Sequence, residues 1–448
     1  MSEWKKVKIG DFLTEREGRY KPDDSKISKY KRLDKIDFSG TIHISDKPTK
    51  TDMIIVHPGD LVISGINVAK GAVAVYQGNE PVCATIHYSS YTFNEKIVDL
   101  DFFKFFVKSP AFLEALKRQV KGGIKTEIKP KHLLPLEIAI PDLFEQKRIV
   151  ATVSNSLKKT EGLQKEIDSQ KEYVKLLRQN ILQDAIEGKL TADWRKSHPV
   201  IKGNPDYDAE ALLLLLKNIK EELKNDPLVK REKKRTPINS DEKEFEIPGS
   251  WIWVRMGELC YPITKGTTPE THEIKTEGEI PYLKMFNIVN QKIDFDYRSQ
   301  FISRKVHEEK LSRSKVFPKD VIMNIVGPPM GKIAIIPDKF PEWNLNQAMA
   351  IFRGYDISIN PYIYIFLNSM IWLKFVHTLG VVGQENMSLE QCKDIVVSLP
   401  PLAEQIEIVC IVENMFEIIN QLESQIQERE KYTNQLMQSI LKDAFEER

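Results

Sequence analysis

Cysteine is scarce in this chain: four residues in 448, Cys83, Cys260, Cys392 and Cys410, all far apart. Such spacing forms neither a zinc site nor a disulfide framework, so reduced thiols and a cytoplasmic location are expected. Long apolar runs are absent as well. The longest, Ala211 to Leu216, falls far short of the roughly 20 residues that cross a bilayer. The first residues, Met-Ser-Glu-Trp-Lys-Lys, have no apolar core behind their charges, so no secretory signal is expected. A charge excess is also missing, because 65 Lys and Arg face 64 Asp and Glu. Residues 1–140 lean basic, 23 against 18, and residues 396–448 lean acidic, 10 against 4. Local patches can still bind phosphate in a chain of mixed charge.

Catalytic signatures are missing too. There is no G-x-x-x-x-G-K-[ST] loop, no G-x-G-x-x-G turn, and the eight histidines lack metal-ligand spacing. Asn204-Pro-Asp-Tyr207 is close to the Asn-Pro-Pro-aromatic motif of adenine methyltransferases, but its third residue is wrong and no glycine-rich cofactor loop precedes it. Pro141-Asp142-Leu-Phe-Glu145-Gln-Lys147 has the residue types of a compressed nuclease signature. Metal-dependent cleavage needs carboxylates that converge on one ion, and two intervening residues cannot supply the required turn. No catalytic or metal-binding residue is therefore assigned.

With 41% hydrophobic and 29% charged residues, 448 residues suit a globular protein of two or three domains. The chain repeats itself. Pro141 to Glu187 align without a gap to Pro400 to Glu446, with 18 of 47 positions identical. Islands continue upstream: Trp4, Val7 and Gly10 match Trp251, Val254 and Gly257, and Pro58-Gly-Asp60 matches Pro318-Lys-Asp320. Lys70-Gly71 likewise matches Met330-Gly331. The shared Pro-x-x-x-Glu-Gln reads as the start of a helix, since proline suits a helix's first turn and not its interior.

Both copies carry a heptad stripe. In the first it runs through Ile149, Val153, Leu163, Ile167, Leu177 and Ile181; in the second through Ile408, Val412, Leu422, Ile426, Leu436 and Ile440. Such a seam needs a partner helix. Packing of each helix on its own domain is one option; the matched lengths favour pairing with each other, antiparallel, as a spacer about 50 Å long.

The expected fold is mixed α/β (α+β): two globular heads with β-rich cores, separated by two long helices in an antiparallel coiled coil, with a pseudo-two-fold internal repeat. Strand-forming runs occur at 53–56, 61–63 and 72–76, and again at 321–326 and 332–336. Expected boundaries are 1–140, first head; 141–190, first spacer helix; 191–249, helical and charged linker; 250–396, second head; 397–448, second spacer helix. Within the linker, Lys230-Arg-Glu-Lys-Lys-Arg235 reads as a solvated charge run.

These residues resemble the specificity subunit of type I restriction–modification systems over essentially the whole length. The resemblance rests on Ile138-Ala-Ile-Pro141 through Gln146, on Val397-Ser-Leu-Pro400-Pro401 through Gln405, on Ala185-Ile-Glu-Gly-Lys-Leu-Thr-Ala-Asp-Trp-Arg195 and on Trp253-Val-Arg-Met-Gly-Glu258. Lys265-Gly-Thr-Thr-Pro269, Gly331-Lys-Ile-Ala334 and Asn346-Gln347 add to it.

The resemblance implies two target-recognition domains reading a split double-stranded DNA sequence, with the helices fixing the gap. It also implies two docked methyltransferase subunits acting on adenine N6, and restriction subunits adding ATP-dependent cleavage. S-adenosylmethionine, ATP and Mg²⁺ would belong to those partners and no cofactor to this chain, which would be non-catalytic. Because the heads differ, an asymmetric target is expected.

Candidate DNA contacts are polar and basic residues in glycine-containing loops. They are Arg16, Arg19, Lys70, Lys121, Lys125 and Thr126 in the first head, and Lys265, Thr267, Lys332, Gln384 and Asn386 in the second. A two-headed protein-binding scaffold with a coiled-coil spacer is the alternative, and a stand-alone methyltransferase a third.

Overall fold

A computed structural model describes residues 4–38, 40–67, 72–119, 128–327, 329–375 and 386–445. The chain divides into two compact units, Met1–Lys171 with Gln425–Arg448, and Glu172–Ser424. Both divisions fall inside long helices.

The first unit opens with β1 (Lys5–Lys8), β2 (Leu13–Glu15), β3 (Arg32–Ile36), β4 (Ile42–Ser45) and β5 (Met53–Val56). β6 (Leu61–Ser64), β7 (Val73–Val75), β8 (Val82–Thr85) and β9 (Tyr88–Phe93) follow. Then come α1 (Leu100–Phe106), α2 (Pro110–Gln119), α3 (Pro130–Leu133), β10 (Glu137–Ile140) and α4 (Leu143–Ile186). The strands form two four-stranded sheets, β2-β9-β6-β7 and β4-β3-β8-β5, while β1 pairs with β10.

β6 shows why these residues choose a strand. Successive side chains leave a pleat on opposite faces. Leu61 and Ile63 join the cluster of Phe102, Phe103 and Phe106 from α1, whereas Val62 joins Leu33, Val56 and Ala84 between the sheets. α1 starts where it does because the Asp99 carboxylate accepts from the backbone N–H groups of Asp101 and Phe102, both at 3.0 Å.

The second unit adds α5 (Ala192–Ser197), α6 (Ala209–Glu222), β11 (Ile252–Arg255), α7 (Met256–Leu259), β12 (Cys260–Lys265) and β13 (Ile280–Leu283). A short hairpin, β14 (Ile288–Val289) and β15 (Lys292–Ile293), precedes β16 (Phe301–Ile302), α8 (Arg304–Glu308) and β17 (Lys315–Val316). β18 (Val321–Asn324), β19 (Ile333–Ile335), β20 (Trp343–Leu345) and β21 (Met349–Gly354) complete the sheets. α9 (Asn360–Asn368), α10 (Leu389–Asp394), β22 (Val396–Leu399) and α11 (Leu402–Phe445) close the chain.

Its sheets are β12-β21-β18-β19 and β16-β13-β20-β17, with β11 paired to β22. Strand for strand, in the same order, these repeat the first unit. The β14–β15 hairpin has no counterpart among the described residues of the first head.

The segment 191–249, expected as a helical and charged linker, packs into the second unit. Leu212 and Leu216 of α6 are buried, and Asp226 accepts a hydrogen bond from the Tyr261 hydroxyl at 2.9 Å. Glu232 and Arg235 are the exceptions within the charge run: the Glu232 side chain, 7% exposed, meets Lys393 at 2.7 Å, and the Arg235 side chain, 8% exposed, reaches Glu390 at 2.9 Å and Asp394 at 3.3 Å. Lys230, Arg231, Lys233 and Lys234 are exposed, as expected.

The long helices pair antiparallel within each unit. In the first, Val153 shares a core with Leu441 and Phe445, while Lys171 meets Glu430 at 2.7 Å. In the second, Arg178 bonds Glu423 at 3.0 Å and lies over the Phe416 ring, while Ser398 donates its hydroxyl to the Ile186 carbonyl.

The seam is narrower than the sequence pattern. Val153, Ile167, Ile181, Ile408, Val412 and Ile426 are buried, and Ile149 and Ile440 partly so. Leu163, Leu177, Leu422 and Leu436 remain 44%, 43%, 39% and 46% exposed. Thr160 and Thr433, polar positions on the same seven-residue repeat, are buried instead. One row per heptad is buried along the helices; the adjacent row, buried at Ile408, is half-exposed at its leucines.

Candidate nucleic-acid interface

In each head the diverged loops collect at one rim of the sheet β2-β9-β6-β7 or its repeat. β2 ends at Glu15, and Arg16 N–H continues the ladder to Ser90 O at 2.8 Å. At the same rim Gly65 N–H donates to His87 O, and Ile128 N–H to Gly65 O at 2.8 Å. Arg16, Arg19 and the flanks of two further loops are thus brought together. Lys70, Lys121, Lys125 and Thr126 lie outside the described residues. Gly18, with φ +126°, makes the turn from Arg16 to Arg19 that a side chain would oppose.

A cleft of about 300 Å³ opens here, lined by Glu15, Arg16, Arg19, Tyr88, Ser90 and Lys129. Burial raises the Glu15 carboxyl above its ordinary value, with the Arg19 charge opposing. Arg16 is held from beneath. Its Nε donates to Asp60, 2% exposed, at 2.7 Å, and Asp60 also accepts from Ser90 Oγ at 2.8 Å and His57 N at 3.0 Å.

The second head repeats the rim with other residues. Lys265 lies opposite Ala350, Ala350 opposite Met323, and Met323 opposite Ile333, so Lys265 and Lys332 end the same edge of one sheet. Gly266 is required: a Cβ there would sit 2.0 Å from the Asn346 carbonyl oxygen. Thr267 N–H donates to Leu345 O, and its hydroxyl accepts from Arg313 Nε at 3.3 Å. Asn386 bridges Val326, and Met387 N–H donates to Ile325 O, as Ile128 does to Gly65 in the first head. Gln384 lies outside the described residues.

Asp320, the repeat of Asp60, is also buried, in the turn before β18, and also holds an arginine. The donor there is Arg353, from β21, with Nε at 2.7 Å. The framework keeps the carboxylate and changes the strand that supplies its partner.

Sequence reasoning missed Lys129 and Arg313, both exposed at the rims. Neither sits beside a glycine, the signal used to choose loops.

The shared Pro-x-x-x-Glu-Gln serves the helix start. Asp142 Oδ1 caps Glu145 N–H at 2.9 Å, and Gln146, fully buried, donates to Pro141 O at 2.8 Å and accepts from Asp99 N–H at 2.7 Å. Gln405 repeats the bond to Pro400 O at 2.9 Å. The two carboxylates of the first copy therefore face a helix end and Arg148, not each other.

One cluster of potential metal ligands occurs among the described residues, His307, Glu308 and Glu342. Asn344 is pinned by Leu345 N–H on its oxygen and donates its amide to Leu311 O and to His307 Nδ1 at 3.0 Å. His307 must then carry its proton on Nε2, the atom a metal would need, while Arg304 and Lys315 occupy the carboxylates. The cluster's groups are thus engaged in a polar network with neighbouring side chains. No helix of the described residues is long and apolar enough to cross a membrane.

Residues 1–171 and 248–429 match the model of the family described as Type I restriction modification DNA specificity domain. The chain belongs to this family. The Type I restriction enzyme EcoBI specificity subunit of Escherichia coli is 25% identical over 350 residues, 76% of this chain and 64% of that protein. The EcoEI specificity subunit of Escherichia coli is 26% identical over 260 residues, 56% of this chain and 42% of that one. The chain thus spans less than two thirds of either relative. A solved chain from work on complex assembly and conformational transition of the type I R-M system has the same fold, with a TM-score of 0.66 and 15% identity. That match covers 99% of this chain and 97% of the other. The two family matches fall one on each copy of the internal repeat, so each rim belongs to its own specificity domain.

Proposed function

We propose that this chain is the DNA specificity subunit of a type I restriction–modification complex. Each head reads one part of a bipartite, asymmetric target through its rim, and the chain itself performs no chemistry. The carrying observation is the contrast within the repeat: one strand framework occurs twice, yet the loops at its rim differ in length, charge and partners. A framework held constant around variable loops suits a reader that changes target while keeping its assembly. Cationic residues at the rims would hold phosphates, while Asn and Gln side chains would face base edges. The rim candidates remain those named above, with Lys129 and Arg313 added.

The half-exposed leucines of the paired helices suit docking of two methyltransferase subunits that modify adenine N6, with restriction subunits joining them. S-adenosylmethionine, ATP and Mg²⁺ would be held by those partners. The same division assigns residues 1–140 and 250–396 to reading, and 141–190 with 397–448 to spacing and docking. Residues 191–249 connect the copies in the cytoplasmic complex.

Methylation-sensitive sequencing of DNA exposed to the complex tests this. It should return a two-part motif, and exchange of residues 1–140 for another first head should alter one part only. If no duplex is held more tightly than random DNA at any salt, the reader fails and the protein-binding scaffold takes its place. Tight S-adenosylmethionine binding by the isolated chain would instead support a stand-alone methyltransferase.

A further inference from the structure

Between β3 and β4 the first head runs through residues 37–41, but the equivalent connection from β13 to β16 spans 284–300 and contains the β14–β15 hairpin. Ile288 pairs with Ile293 and Val289 with Lys292, leaving a two-residue turn at Asn290 and Gln291. Both turn residues are left-handed, with φ of 49° and 59°, the geometry that matches the twist of the flanking strands. Asparagine tolerates this conformation, whereas glutamine is seldom found there.

Gln291 is held by two bonds outside its own hairpin. Its Oε1 accepts from Ile333 N–H at 2.8 Å, and its carbonyl accepts from the Tyr364 hydroxyl at 3.1 Å. Ile333 follows Lys332 at the rim and ends the row that begins at Lys265. The turn is therefore bolted to the rim and extends it beyond β19. Asn290 and Lys292 are exposed on either side of the bolt, and their side chains make no hydrogen bond or ion pair with the described residues.

We propose that this hairpin is a specificity-determining element of the second head, with Asn290 at a base edge and Lys292 at a phosphate. The inference rests on the reading of the rims as the DNA surface. An asparagine amide presents a donor and an acceptor side by side, which matches the N6 amino group and N7 of adenine. A lysine ammonium is a point charge without such pattern, suited to the backbone. Backbone strain anchored from two sides keeps the tip rigid, as a reading group requires.

The full chain, produced together with its methyltransferase subunit, is compared with N290A, K292A, K265A and K332A. The readouts are the methylated motif and the affinity for a duplex carrying it over a range of salt. Asn290→Ala should relax discrimination at one position of the half-site read by the second head, by about tenfold or more, with the other half-site unchanged. Lys292→Ala should weaken binding without altering the motif and reduce the salt slope by about one. Matching melting temperatures exclude misfolding of these surface variants.

Wild-type motif, affinity and salt slope in both hairpin variants, with K332A or K265A impaired, would overturn the hairpin's role and leave the rim reading intact. Unimpaired binding by all four would remove the rim reading and this inference together.

Discussion

Trp251 donates its indole N–H to Glu404 Oε2 at 2.8 Å, tying the residue before β11 to the first turn of α11. The other carboxylate oxygen accepts from Thr191 Oγ1 at 2.7 Å and from Arg195 Nη1. Glu404 is 1% exposed and the Arg195 side chain 20%, so the charge pair is largely removed from water. Glu145, its repeat-mate, instead pairs with an exposed Arg148 on its own helix.

The two copies of this glutamate should therefore respond differently to truncation. Glu404→Ala leaves the largely buried Arg195 charge unpaired and the Trp251 indole without its acceptor, and is expected to cost about 3 kcal/mol. Glu145→Ala should leave the denaturation midpoint unchanged. Equal midpoints for the two variants would contradict the asymmetry.

Asp60 and Asp320 should behave alike although their arginines come from different strands. Asp60→Asn loses the charged acceptor for Arg16, and Asp320→Asn the one for Arg353; each is expected to cost about 2 kcal/mol. In the first head the loss should also lower DNA affinity, since Arg16 is held at the rim by Asp60. Chemical denaturation and duplex titration report the two effects separately.

Along the helices, Ile167→Ala should cost about 3 kcal/mol because Ile167 is 4% exposed in the seam. Leu163→Ser combined with Leu436→Ser should cost far less, since both are nearly half-exposed. The pair should nevertheless weaken recovery of the methyltransferase subunit in a co-purification assay. Intact recovery would remove this face from the docking surface.

Shortening the spacer supplies another test. Deleting one heptad from 151–178 and the matching heptad from 410–437 should change the number of bases between half-sites and leave the bases read unaltered. Sequencing of methylated DNA reports both quantities at once.

Stability should fall in two steps on acidification. Burial holds the His307 imidazole below its ordinary value, with Lys315 adding to the effect and Glu342 opposing it. Below about pH 6.5 the unfolded chain then takes up the proton first, and this stabilisation is lost as pH falls further. The Arg255 hydrogen bonds hold the Glu242 carboxyl below the usual glutamate range. That stabilisation is complete above about pH 4.3 and is lost below it. Urea midpoints from pH 7 to 3 should show both limbs, with His307→Asn flattening the upper and Glu242→Gln the lower. A wild-type midpoint constant between pH 6.5 and 5 would contradict the histidine step.

How much was legible in the sequence depends on the range of the interaction. The repeat, the helix starts and the antiparallel seam follow from local patterns: Pro141 and Pro400, the Gln146 and Gln405 positions, and apolar residues at heptad spacing. Such features depend on neighbours a few residues away, or on a copy that carries the same pattern. The gathering of Arg16, Arg19 and the flank at Ile128 on one rim needed the ladders Arg16–Ser90 and Ile128–Gly65, which join residues far apart in the chain.

The same holds for burial of charge. Arg235 looks like its exposed neighbours in a basic run, and only the approach of Glu390 and Asp394 sets it apart. The row from Lys265 to Ile333 is a matter of strand register, which side-chain alternation alone does not specify across four strands. Sequence by itself therefore determined that this protein is one framework used twice with diverged heads, because repetition and periodicity are written locally. Tertiary structure decided which diverged loops share a surface, because hydrogen-bonded register brings distant segments together at one edge.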